Sequence, residues 1–322
     1  MSGLPLGRLF MFGFDGFNLP RKARDFLEKD QTLGVILFKR NIQSREQVID
    51  LNRAISALVA VDQEGGRVMR LKDICSNIPP MRQIGERAKH DPEWPYAMGH
   101  QMGLELKELG FGLDFAPVMD VDTNPKNPII GDRSLSSDPE EVAQWGSKFI
   151  KGMQSAGVFA CAKHFPGHGD TDIDSHLDLP VITHGADRID HVELHPFRAA
   201  IQAGVASIMT AHILVPALDP IHPATLSHAI LTGILRQKMG YQGVIISDDL
   251  EMHAVADRYS IKELVRLGLL AGVDLFLICS QLDKTAEAID AAHDLVDSGA
   301  VPEKRVLEAL DRVSTLTKPL EC

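Results

Sequence analysis

The sequence predicts an α/β protein, a single (β/α)8 TIM-like barrel filling residues 1–322. Three observations predict it. Eight short runs rich in Val, Ile and Phe recur along the chain, apolar nearly throughout, as parallel strands covered on both faces are. Amphipathic stretches with polar starts and, in most cases, glycine stops alternate with them. Asp62, Asp120, His164, His212 and Asp248 interrupt five of the eight runs at their C-terminal ends, and Ser280 ends a sixth. In a barrel those ends converge on one face, where active sites lie. A doubly wound open sheet is the alternative, but no glycine-rich fingerprint follows the first run.

The first run is "GRLFMFGF". No charged n-region or small-residue cleavage site surrounds it, so it reads as a strand rather than a signal peptide, and a cytoplasmic location is expected. "LGVILFK" is the second strand; "SREQVIDLNRAIS" follows as a helix opened by a Ser cap. "LVAVDQ" and "LDFAPVMDV" are the third and fourth strands. The helix "DPEEVAQWGSKFIKGMQSAG" then starts Asp-Pro and stops at Gly157. "VFACAKH" and "ASIMTAH" are the fifth and sixth strands, and "SHAILTGILRQKMG" is helical. "GVIISDD", the helix "SIKELVRLGLLAG", "DLFLICS" and the helix "PEKRVLEALDRVSTLTK" complete the order. No linker, low-complexity segment or short repeat interrupts it.

Composition narrows the function classes. A hydrophobic content of 44% suits a globular protein with ample core, and a net charge of -11 argues against nucleic acid or an anionic membrane as partner. No apolar run approaches a membrane span. Cys75, Cys161, Cys279 and Cys322 are far apart and form no CxxC, as expected of buried thiols in a reducing compartment. A monomer without cofactor is expected.

Four stretches carry chemistry. "VAVDQEGGRVMR" puts Asp62 at a strand end with Arg67 and Arg70 just beyond. A carboxylate and a guanidinium there can hold adjacent sugar hydroxyls, or simply form a structural ion pair. "NPIIGDRSL" contributes Arg133, which alone reads as a solvated loop arginine. "KHFPGHGDTDIDSH" ends a strand with Lys163 and His164 and continues as a polar loop of about a dozen residues, longer than ordinary βα loops and of the kind that carries function. Its histidines, with His212 and Asp248, are the residue types of a metal site formed by His164, His168, His176, His212 and Asp248. The spacing offers neither HxH nor HExxH, so no metal is expected. "GVIISDDLEMHA" ends a strand with Asp248 and Asp249. Adjacent strand residues face opposite ways, so Asp248 is expected in the pocket and Asp249 at the cap of the next helix.

Together, in this order and spacing, "VDQEGGRV", "GDRS", "KHFPGHGDTDIDSH" and "GVIISDDLEM" resemble the motifs of glycoside hydrolase family 3, and within it those of the bacterial cytoplasmic β-N-acetylhexosaminidases. The resemblance implies a retaining mechanism. Asp248 would be the nucleophile and His176 the general acid/base, with Asp174 as its dyad partner. Asp62, Arg70, Arg133, Lys163 and His164 would bind the N-acetylglucosamine ring. The substrate would be a muropeptide met in cell-wall recycling. Many family members carry a second α/β domain, whereas the hexosaminidase branch completes its site from the barrel's own loops, and this chain matches that short form. A histidine is a sound acid/base, since its ordinary pKa near 6.5 lets it both give and take a proton at neutral pH. A glycoside phosphorylase, a metal-dependent barrel hydrolase and a non-catalytic sugar-binding barrel are the rival readings.

Overall fold

The computed structural model describes residues 3–171 and 179–318. Its strands are β1 (Phe10–Phe12), β2 (Gly34–Leu37), β3 (Leu58–Val61), β4 (Gln63–Gly65), β5 (Val68–Met69), β6 (Leu113–Asp114), β7 (Phe159–Phe165), β8 (Ser207–Thr210), β9 (Val244–Asp249) and β10 (Leu275–Ile278). Eight of them, all parallel, close a barrel in the order β1-β10-β9-β8-β7-β6-β3-β2. Each of the eight apolar runs supplies one barrel strand. The fourth run is the one most shortened: Pro117 lacks an amide proton, and ladder pairing stops at Asp114. The chain still follows β7 onward, with the Met119 amide donating to the Lys163 carbonyl at 2.6 Å. A small antiparallel hairpin, β4–β5, was not expected from the sequence. Gly65 and Gly66 turn it with φ of +100° and +58°, and a Cβ on Gly65 would lie 2.6 Å from the Pro79 carbonyl.

Period-two alternation divides the barrel strands between two apolar layers. Met11, Ile36, Ala60, Cys161, Met209, Ile246 and Leu277 belong to one cluster, inside the barrel. Their neighbours Phe10, Phe12, Val35, Leu37, Val59, Val61, Ile245, Phe276 and Ile278 belong to the other, under the helices. Two residues above each inward residue stands the next inward one. Above Ala60 is Asp62, above Cys161 is Lys163, and above Ile246 is Asp248. The polar face of the molecule is therefore the top of its apolar interior.

The helices begin as their sequences imply. Ser44 Oγ accepts from the Gln47 amide, Asp138 Oδ1 from the Glu140 amide, and Ser260 forms a reciprocal box with Glu263. The segment Ala229–Lys238 differs, being wound as a π-helix; nothing in its packing explains this. Gly99 and Gly152 let Trp94–Leu109 and Pro139–Ser155 approach closely, since a Cβ on either would fall within 2.3 Å of the opposite backbone. At the opposite end from the polar face, fully buried Asp274 binds Arg236, Arg305 at 2.8 Å and Arg312 at 3.2 Å. That fastens the helix Glu303–Ser314 to the barrel floor. Among the described residues no helix is long and apolar enough to cross a membrane.

Candidate active site

A cavity of about 340 Å³ opens at the C-terminal ends of the strands, at the small end of the range for small-molecule sites, about 300–1,000 Å³. Its floor is the inward column just described: Ile36, Phe115, Met209, Leu277 and Cys279. Its walls hold Asp62, Arg70, Arg133, Lys163, His164 and Asp248. Six of the eight residues expected at the site are thus brought together. The other two, Asp174 and His176, lie outside the described residues.

Gln63 explains how two carboxylates face the cavity from consecutive turns of chain. Its amide donates to Asp114 Oδ1 at 2.9 Å and its own Oε1 accepts from the Leu71 amide at 3.1 Å, so it points away and leaves Asp62 and Glu64 inward. Lys163 Nζ lies 2.8 Å from Asp62 Oδ1 and 2.6 Å from Glu64 Oε1. Arg133 meets Glu64 through Nε and Nη2, both at 2.7 Å. This two-pronged contact is the strong geometry of guanidinium and carboxylate. Burial pushes the Glu64 carboxyl up, but Arg133 and Lys163 outweigh it and hold the group well below the usual range. Burial likewise lowers the Lys163 ammonium, and Asp62 and Glu64 reverse that and raise it. Glu64, Arg133 and Lys163 are therefore charged at neutral pH. Arg70 completes the wall: Nη2 is 3.6 Å from Asp62 Oδ2, the guanidinium lies 5.6 Å from the centre of the Phe38 ring, and Nε is buried with no partner among the described residues.

The run after β7 is folded around one carboxylate. Asp120 Oδ2 pairs with His164 Nδ1 at 2.7 Å, and Oδ1 accepts from the His168 amide at 2.7 Å. His168 also lines the cavity. Its Nδ1 meets Thr171 Oγ1 at 2.7 Å, and burial, with His164 nearby, holds it down to about 4, so it is neutral. Beyond it, Asp170 binds His184 and, at 2.9 Å, Arg188. The chain before residue 172 is thereby tied to the chain after residue 178.

Asp248, the next-to-last residue of β9, is half-buried. Burial pushes its carboxyl up, but His212, His164, the Asp249 amide and Lys163 prevail and hold it below the ordinary value. It is an ionised carboxylate looking across a cavity at a bank of cations. The expectation that Asp249 faces away is corrected: it lines the cavity too. Nor does it cap the next helix, His253–Ala256, which has no side-chain cap; its Oδ1 accepts instead from the Glu251 and Cys279 amides, at 3.0 and 3.2 Å. The strand end bends into a turn there, so strict alternation fails at its last residue. Burial, with Glu251 and Asp248 close by, raises the Asp249 carboxyl to about 7. His212 is held behind the wall, between Thr225 Oγ1 at 2.8 Å and the Asp249 carbonyl at 3.0 Å. Among the described residues no three His, Cys, Asp or Glu side chains are grouped to hold a metal ion.

Sequence reasoning missed Glu64, gave His168 only a metal role, and turned Asp249 away. The signal for Glu64 was present, since it stands two residues after Asp62 and period two carries both to one face.

A closed parallel barrel with an ionised aspartate and clustered cations at its strand ends defines a barrel enzyme. The chain belongs to glycosyl hydrolase family 3: the model of that family's N-terminal domain matches residues 6–316. A Stenotrophomonas maltophilia protein named beta-hexosaminidase is 38% identical over 314 residues, covering 94% of this chain and 91% of that one. The β-N-acetylglucosaminidase of Paenibacillus sp. strain FPU-7 superposes with a TM-score of 0.94 at 39% identity, over 98% of this chain. This chain spans only 62% of that solved protein. Native NagZ of Neisseria gonorrhoeae has a TM-score of 0.81 and 32% identity, and the match covers 97% of this chain and 98% of that one.

Proposed function

We propose that this glycoside hydrolase is a retaining β-N-acetylglucosaminidase, which removes non-reducing terminal N-acetylglucosamine from muropeptides in cell-wall recycling. One observation carries the reading: Asp248, held ionised at the inward end of β9, faces Lys163, Arg133 and His164 across a cavity of monosaccharide scale. The relatives named above support it by the activity in their names. Asp62, Arg70, Arg133, Lys163 and His164 grip the sugar hydroxyls and fix the ring. Asp248 attacks the anomeric carbon while His176, oriented by Asp174, protonates the departing oxygen. His176 then takes a proton from water, which releases the sugar from Asp248 with its configuration retained. No cofactor enters these steps. The reading includes a single catalytic domain over 1–322, a cytoplasmic monomer, and no nucleic-acid or membrane partner.

A panel of nitrophenyl glycosides assayed with and without phosphate tests the function. Hydrolysis of the N-acetylglucosaminide far above the glucoside, with no phosphate dependence, is expected, because polar groups placed for an acetamido group are costly to leave unpaired. Equal rates on both sugars point to a β-glucosidase, and strict phosphate dependence to a phosphorylase. A 5-fluoro glycoside should label Asp248; label on Asp249 overturns the nucleophile assignment.

A further inference from the structure

Asp120 is fully buried and forms no part of the cavity wall, yet the wall depends on it. Its Oδ1 accepts from the backbone amides of His168 at 2.7 Å and His164 at 3.2 Å. Its Oδ2 lies 2.7 Å from His164 Nδ1 and 3.3 Å from the same His164 amide. Burial pushes this carboxyl up, and His164, with the His168 amide, outweighs burial and holds it below its usual value, so it is ionised. An ionised carboxylate has only lone pairs to offer. Nδ1 of His164 must then carry a proton, and Nε2 is the ring nitrogen left for the cavity.

We propose that Asp120 is a positioning residue that fixes the tautomer and ring orientation of His164, so that Nε2 is presented to the substrate. The same carboxylate binds the backbone amides of His164 and His168, so one buried group holds both the sugar-binding ring and the turn that follows it. The arrangement is the orienting half of an Asp–His pair, in which the aspartate fixes the imidazole without touching substrate.

Asp120→Asn separates this role from mere packing. The side chain keeps its shape but has one oxygen and one amino group. The backbone amides of His164 and His168 can only donate, so they claim the oxygen. The amino group then faces Nδ1, and the ring, which can change tautomer, moves its proton to Nε2. Histidine-labelled protein read by nitrogen-15 correlation spectra, with His164 assigned from the spectrum of His164→Gln, decides the matter. Wild type should show a protonated Nδ1 at His164, and the variant a protonated Nε2. Turnover of the aryl N-acetylglucosaminide, an arm that rests on the proposed function, should show kcat/KM lower by roughly 10–100-fold in the variant. A bare Nδ1 in the wild-type ring overturns the proposal whether or not the variant folds. So does a variant that keeps both the Nδ1 proton and full kcat/KM. If the wild type cleaves none of the aryl glycosides, the function reading fails, and the wild-type spectrum still decides the role of Asp120.

Discussion

Glu64, on β4, receives Arg133, on the connection after β6, through two parallel contacts of 2.7 Å, although the two residues stand 69 positions apart. Glu64 is 1% exposed and bears the charge of Lys163 as well. Glu64→Gln keeps the volume but leaves two buried cations facing one another with only Asp62 between them. A buried pair broken from one side costs roughly 3–5 kcal/mol. Urea unfolding should show that loss as a lower midpoint at unchanged slope. Glu64→Gln and Arg133→Gln combined should lose less than the sum of the two, with a coupling of about 0.5–3 kcal/mol. Strict additivity would mean that the pair does not interact.

Asp249 predicts the opposite sign. Its carboxyl is raised to about 7 in the folded chain, against an ordinary value of 3.8. Between those two values the unfolded chain has lost the proton and the folded one keeps it. Stability therefore falls as pH rises from about 4 to about 7 and levels off above, by on the order of 2–4 kcal/mol from this group. Asn holds no such proton and still accepts from the Glu251 and Cys279 amides. Asp249→Asn should stabilise the protein at pH 8 and make no difference at pH 4, as measured by urea unfolding at both. A variant destabilised at pH 8 would show that the negative charge is needed in the fold.

The architecture was legible because each barrel strand is buried on both sides, and its sequence is a nearly unbroken apolar run that no other element imitates. Asp62, Lys163 and Asp248 were legible because they break such runs at one end. Glu64 was passed over because "QEGG" reads as loop, although its spacing from Asp62 carries both to one face; its contacts with Arg133 and Lys163 give it a task. Asp249 was misplaced because alternation holds along a strand and not through the turn after it. The helix Leu282–Asp297 carries no side-chain cap, so its start is not written locally. Asp274 and its arginines stand as many as 38 positions apart, and no local pattern reports them.

Asp274 supplies a test of the floor independent of the active face. Three arginines converge on this one buried carboxylate, which also accepts from the Ile245 amide at 3.0 Å. Asp274→Asn retains a partner for one or two donors and strands the rest. Removing one partner of such a group costs about 3–5 kcal/mol. Thermal unfolding should fall by several degrees, while KM at a temperature well below the transition stays within about twofold. A large KM change with unaltered stability would mean that the floor is coupled to the site in a way the packing does not suggest.

His176 lies outside the described residues, and its chemistry is tested by varying the leaving group. A general acid matters most where the departing oxygen is a poor leaving group. Dinitrophenolate departs without protonation, so His176→Ala should form the glycosyl-enzyme on Asp248 from a dinitrophenyl glycoside almost normally. The same variant should be slower on a sugar leaving group by about 10²–10⁴-fold, the usual worth of a positioned acid or base. Release of the intermediate should be slow with either substrate, because no base remains to activate water. Azide needs no base, so it should restore turnover of the dinitrophenyl substrate and yield the β-glycosyl azide, the configuration that attack on an α-linked intermediate demands. Asp174→Ala should show the same pattern in milder form, since the imidazole remains and only its orientation is lost. Equal losses on both leaving groups, with no azide product, would make His176 a positioning residue. The proton would then have to come from another group on the cavity wall, where His168 is neutral and lines the cavity.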